Sequence, residues 1–166
     1  MARAGRPCAV PASWFSFPMA DGAPTHHASC IAIGEAGVLI RGKSGSGKSC
    51  LALRLILDPP RALRPASLVA DDRVRLAVRD GLLVATVPET LAGLIEVRHL
   101  GIRRLPHRPF AVVRLVVDLG VPEVERLPAD DALRVVLEGV TVPRIAVPAG
   151  ADAALLVAAA LESEKF

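Results

Sequence analysis

The sequence predicts an α/β domain built on a mixed sheet, and three observations predict it. A glycine-rich segment, Gly42-Lys43-Ser44-Gly45-Ser46-Gly47-Lys48-Ser49, lies between an apolar run and a stretch with helical spacing. Short apolar runs alternate with helical segments but keep no strict strand-helix-strand rhythm, which favours a mixed sheet over an all-parallel one. With 166 residues, 52% of them hydrophobic and 22% charged, the chain can fill one compact core.

The elements are expected in the following order. Residues 1–24 carry Arg3 and Arg6, but Pro11 and Pro18 break their apolar part, a poor signal-peptide core. They read as a leader or docked arm, and the folded domain is expected over 25–166. Cys30 to Ile33 and Val38 to Ile40 form two strands separated by Gly34 and Gly37. After the glycine segment, Cys50 to Leu57 places Leu51 and Leu55 at helical spacing until Pro59 and Pro60 stop the helix. Ser67 to Ala70 is a buried strand ending at Asp71 and Asp72, while Val74–Val78 and Leu82–Val87 flank the hairpin turn Asp80-Gly81. Glu89 to Ile95 suits a short helix and Ala111 to Leu119 a strand. Val135 to Val147 holds two strand pieces around Glu138-Gly139 and Pro143, and Ala151 to Leu161 is helical.

Composition narrows the function classes. Mean hydropathy is +0.43, yet Arg, Asp, Gly or Pro interrupts every apolar run before the ~18 residues a bilayer span requires, so no membrane association is expected. Cys8, Cys30 and Cys50 are odd in number and lack paired spacing, which fits a reducing cytoplasm. The net charge of +3 comes from seventeen arginines and three lysines against 17 acids. That mild basic bias suits phosphate or an acidic protein face. One Trp, no Tyr and four Phe supply no stacking platform for single strands, so nucleic acid is not an expected partner.

The glycine segment matches G-x-x-x-x-G-K-[ST] in full. Glycines let the backbone wrap N–H groups around an anion, and the following helix turns the positive end of its dipole to the same point. Lys48 then reaches the β- and γ-phosphates, and the Ser49 hydroxyl can ligate Mg²⁺. The plain alternative is a flexible turn, but such a match arises by accident in well under about one chain in a hundred of this length. Nucleotide phosphate binding is therefore expected. Asp71 and Asp72 deliver two carboxylates at a strand end, and adjacent side chains face opposite ways unless the strand has turned. With a phosphate loop upstream, at least one is expected to hold the metal or accept a proton; without it, a solvated turn would be the better reading.

Glu96 and Arg98 share one face of an extended segment, for which spacing alone favours an exposed, salt-bridged edge strand. His26, His27 and Cys30 make a poor metal site, because adjacent imidazoles cannot both face one ion from a strand. A single His near the nucleotide, relaying a proton, is the more interesting alternative to a surface His. Arg103, Arg104, His107 and Arg108 make a basic stretch able to dock a partner or phosphate, with a solvated arginine-rich loop as the default reading, and Cys50 reads as a small hydrophobe packed at the helix start.

In this order the pieces resemble the HPr kinase/phosphorylase family, in its C-terminal catalytic domain, from Thr25 to Pro148. His27 ahead of the loop, GKSGSGKS, LVADD, IEVRHLGI, Glu125-Arg126-Leu127 and TVPRIAVP carry the resemblance. The resemblance implies that the loop Gly42, Lys43, Ser44, Gly45, Ser46, Gly47, Lys48 and Ser49 binds ATP and that Ser49 and Glu96 hold Mg²⁺. Asp72 would accept the proton in phosphorylation and return it in the reverse reaction, assisted by His27, Lys48, Asp71, Arg98 and Arg126. It also implies a P-loop fold akin to the nucleotide domain of phosphoenolpyruvate carboxykinase, and a homo-oligomer, hexameric in full-length members. The implied substrate is a serine hydroxyl of the phosphocarrier protein HPr, with phosphorolysis as the reverse.

Two departures stand out. The leader is too short for the family's N-terminal domain. In addition, Pro148-Ala149-Gly150-Ala151-Asp152 stands where the family carries a basic loop, a region tied to the phosphorolytic half. Two other readings stay open: a small-molecule kinase on the same scaffold, and a nucleotide-binding regulatory module without catalysis.

Overall fold

The structure, a computed structural model, describes residues 24–163. The leader expected over 1–24 thus lies, but for its last residue, outside the described residues. The elements are β1 (Ala28–Ile33), β2 (Ala36–Arg41), α1 (Lys48–Leu57), β3 (Ala66–Ala70), β4 (Arg75–Arg79) and β5 (Leu82–Thr86). They continue with β6 (Leu94–Val97), β7 (Gly101–Arg104), β8 (Phe110–Leu119), β9 (Arg134–Leu137), β10 (Val140–Val147) and α2 (Ala153–Glu162).

The main sheet has the order β3-β1-β2-β8-β10-β9, with the β4–β5 hairpin attached through β5 to β8. The pairs β2–β8 and β8–β10 are parallel and the others antiparallel. The sheet is therefore mixed, as expected. Because β2, β8 and β10 run the same way, their carboxyl ends gather at one edge, where the glycine segment leaves β2. Strands β6 and β7 form a separate two-stranded hairpin.

Strand β8 organises the core. Its start pairs with β5 through Phe110, Ala111 and Val112, and its end pairs with β2 and β10. Between these halves the β2 register skips Arg114, a bulge that turns the inward parity over. Ala111 and Val113 lie with Cys30 and Leu39 on one side, whereas Leu115 and Val117 lie with Ile40, Leu55 and Val157 on the helical side. Gly37 is required opposite: a Cβ there would come within 2.6 Å of the Val112 carbonyl oxygen. Pro143 sits inside β10 without breaking it, since β10 pairs with β9 up to Pro143 and with β8 only from Arg144 onward.

Helix α1 buries Leu51, Ala52 and Leu55 against the sheet, the spacing read from the sequence. One expectation is corrected. Glu89–Ile95 is not a helix: a single 3-10 turn covers Glu89–Leu91, and the chain then enters β6. Tertiary contacts override the local preference here. Gly93 takes a φ of 74°, a Cβ on it would lie 2.7 Å from His107 Nδ1, and the Leu105 N–H donates to its carbonyl. No helix of the described residues is long and apolar enough to cross a membrane.

Candidate active site

The segment from Gly42 to Ser49 joins β2 to α1. Gly42, Gly45 and Gly47 adopt φ values of 153°, 79° and 93°, which L side chains resist. Gly47 is the N-cap of α1, and no side chain caps that end. The first helical N–H groups therefore face outward with the positive end of the dipole. Gly42 admits no side chain, since a Cβ would lie 2.9 Å from the Leu119 carbonyl oxygen. The Ser46 Oγ is buried with no hydrogen-bond partner among the described residues. Lys43 and Ser44 are exposed at the loop tip.

Lys48 is buried at 7% exposure. Its ammonium donates to the Gly42 and Lys43 carbonyls at 3.1 and 3.2 Å and meets His27 Nε2 at 3.0 Å. An ammonium only donates, so Nε2 accepts and the neutral ring carries its proton on Nδ1. That nitrogen lies 2.7 Å from Asp72 Oδ1 and donates to it. Lys48, His27 and Asp72, from three separate parts of the chain, thus form one hydrogen-bonded line. His26 points elsewhere, toward Glu138 at 3.7 Å, so the two imidazoles diverge as the sequence suggested. No group of three metal-binding side chains occurs among the described residues.

The paired aspartates end β3 in a turn. The Arg73 N–H donates to the Asp71 carbonyl at 2.7 Å, closing a γ-turn with Asp72 at its apex at a φ of 62°. Hydrogen bonds between His26 and Val74 hold the far side of that turn. The strand has therefore turned, and both carboxylates lie near the loop, Asp71 through Ser49 and Asp72 through His27. Asp71, buried, accepts from Ser49 Oγ at 2.8 Å, from Ser29 Oγ at 2.6 Å and from the Glu96 N–H at 3.1 Å. Asp72 stays exposed and faces His27.

Not every expected residue joins this cluster. The Glu96 backbone touches Asp71, but its carboxylate is exposed in β6. Arg98 is exposed in the turn after β6, so it does not share a strand face with Glu96 as the extended reading required. Arg126 is exposed in the irregular stretch between β8 and β9, and it makes no hydrogen bond or ion pair among the described residues. Cys50 is exposed on α1 rather than packed, because the first turn of α1 leaves that face to solvent. Burial pushes the Cys30 thiol up to about 12, so it packs as an inert apolar group.

Sequence reasoning missed Ser29. It is fully buried in a strand otherwise made of small and apolar residues, and that isolated hydroxyl was the available signal. Ser29→Ala is expected to lower the unfolding free energy by roughly 1.5–3 kcal/mol, because Asp71 loses its shortest donor. Urea unfolding checks this; an unchanged midpoint would mean that Asp71 does not depend on Ser29.

Comparison with known proteins extends the geometry. The profile of the HPr Serine kinase C-terminal domain matches residues 22–166. The HPr kinase/phosphorylase of Enterococcus faecalis is 37% identical over 145 residues, covering 79% of this chain and 44% of that protein. That of Azoarcus sp. is 39% identical over 142 residues, covering 76% and 43%. This chain therefore spans less than half the length of these relatives. The structure of the Hpr(Ser) kinase/phosphatase from Coxiella burnetii superposes with a TM-score of 0.65 at 28% identity, covering 82% of this chain and 87% of that one.

Proposed function

This chain belongs to the HPr serine kinase C-terminal domain family, and on that footing we propose that it transfers the γ-phosphoryl group of ATP to a serine hydroxyl of HPr. The observation that carries the proposal is the hydrogen-bonded line from Lys48 through His27 to Asp72. It links the phosphate loop to an exposed carboxylate that an incoming hydroxyl can reach.

The residues present fit a nucleotide with its metal. The partnerless Ser46 hydroxyl, the uncapped start of α1 and the positive-φ glycines make an anion cradle. Ser49, whose hydroxyl donates to Asp71, and Glu96, whose backbone N–H does so, would hold Mg²⁺. Bound there, the ion would neutralise charge on the transferring phosphoryl group. The protein's own part is positioning. Loop amides from Gly42 to Ser49 orient the phosphates, and Lys48 supplies a fixed positive charge. Asp72 orients the serine hydroxyl and takes its proton late in a loose transition state. His27 holds Asp72 through its Nδ1–H. In the reverse direction Asp72 returns that proton as phosphate attacks the phosphoserine. Arg98 and Arg126, both exposed, are proposed as assisting cations on the strength of the family resemblance.

The strand-loop-helix unit supports a P-loop fold akin to the nucleotide domain of phosphoenolpyruvate carboxykinase. Leu155 and Leu156 leave α2 apolar on its outer face too, which supports a homo-oligomer. Cys30 and Cys50, both free thiols, support a cytoplasmic setting. Incubation with γ-labelled ATP, Mg²⁺ and HPr tests the proposal, with label expected on an HPr serine. Label on an added metabolite would make the chain a small-molecule kinase. Tight nucleotide binding without transfer would make it a regulatory module.

A further inference from the structure

We infer that Asp118 is a positioning residue for the Gly42–Ser49 loop, acting through a clamp on two arginines from the flanking strands. The inference deepens the reading of that loop as the phosphate site and rests on it. Asp118 lies near the end of β8, between β2 and β10. Arg41, the last residue of β2 and the one before Gly42, donates through Nε to Oδ1 at 2.7 Å and through Nη2 to Oδ2 at 2.8 Å. Arg144 of β10 donates through Nε to the same Oδ2 at 2.5 Å, and its Nη1 holds the Ala132 carbonyl at 3.0 Å.

One carboxylate on the middle strand therefore ties both parallel neighbours at the edge where the loop departs. The forked Arg41 contact fixes orientation as well as distance. The group is also shielded, with side-chain exposures of 16% for Asp118, 31% for Arg41 and 23% for Arg144. Such a pair is worth more than an exposed one. Burial would raise the Asp118 carboxyl, but hydrogen bonds from Arg41 and Arg144 and their charges outweigh it and hold the group below the usual carboxylate range. Its stabilisation is therefore complete above that range and is lost only as pH falls through the lowered value.

The two residues after Asp118 bear on the loop itself. The Leu119 carbonyl excludes any side chain at Gly42, and Gly120 packs beside Ser46, its own N–H bound to the Val147 carbonyl. The clamp thus sits directly behind the surface on which the loop rests. Backbone donors act on developing charge only when held to within about half an ångström, and side chains like these supply that constraint.

Asp118→Asn separates positioning from simple electrostatics by sign. Removing a negative charge beside the loop would by itself favour an anion and lower the KM for ATP. Loss of the clamp is expected instead to raise that KM about tenfold, with kcat within about twofold, and to speed amide hydrogen exchange at Gly45–Lys48 but not in α2. Arg41→Lys, which keeps the charge and loses the fork, is expected to move both readouts the same way by a smaller factor and guards against a variant that fails to fold. A KM that falls or stays constant, or loop exchange equal to wild type, would overturn the inference. If the unaltered protein binds no ATP, the proposed function fails, while the exchange measurement still decides the clamp.

Discussion

Asp72→Asn is expected to reduce phosphoryl transfer to HPr by about a hundredfold to ten-thousandfold, while nucleotide affinity stays within about threefold of wild type. The change is clean for a structural reason. Asp72 occupies the apex of a γ-turn at a φ of 62°, a conformation that Asn tolerates and most residues do not. The amide oxygen can still accept from His27 Nδ1, so the line to Lys48 survives. What disappears is the ability to take a proton from the attacking serine. Single-turnover transfer of label, measured beside equilibrium binding of ATP, separates the two quantities. Undiminished transfer would reassign the base.

Lys48→Ala has the opposite signature: nucleotide affinity is expected to fall roughly tenfold to hundredfold, since a charge-assisted contact to phosphate is worth about 1.5–3 kcal/mol. Its ammonium sits among the Gly42 carbonyl, the Lys43 carbonyl and His27, a nook shaped for a compact charge. Arginine at this position should not restore binding, because its planar fork cannot fill the same space. Titration with a fluorescent ATP analogue checks both variants, and unchanged affinity in Lys48→Ala would count against the loop as the nucleotide site.

Much of the fold was legible because the signals are local. The apolar runs of β1 and β2, the Asp80-Gly81 turn and the helical spacing of Leu51 and Leu55 each act within a few residues. The glycine loop was legible for the same reason, since its pattern of glycines, lysine and serine is complete within eight residues. What was not legible depends on residues far apart in the chain. Nothing in spacing links His27 to Lys48, 21 residues on, or Asp118 to Arg41, 77 residues back. The Glu89–Ile95 segment misled because its fate is decided by Leu105 and His107 across the β6–β7 hairpin. Glu96 and Arg98 looked like neighbours on one strand face, yet the turn begins at Arg98, ahead of His99, which takes a φ of 68° without a glycine to announce it. For Arg98 and Arg126 a role rests on the family alone, because no contact draws either toward Asp72.

The dual allegiance of β8 has a mechanical consequence. One continuous backbone is zipped to the β4–β5 ribbon at its beginning and forms the floor beneath Gly42 at its end. Peeling the ribbon away therefore tugs on the same cable that underlies the glycine loop. Neither half is expected to open as an independent cooperative unit, so the domain is expected to melt in a single transition, with the glycine-loop end held taut until it does.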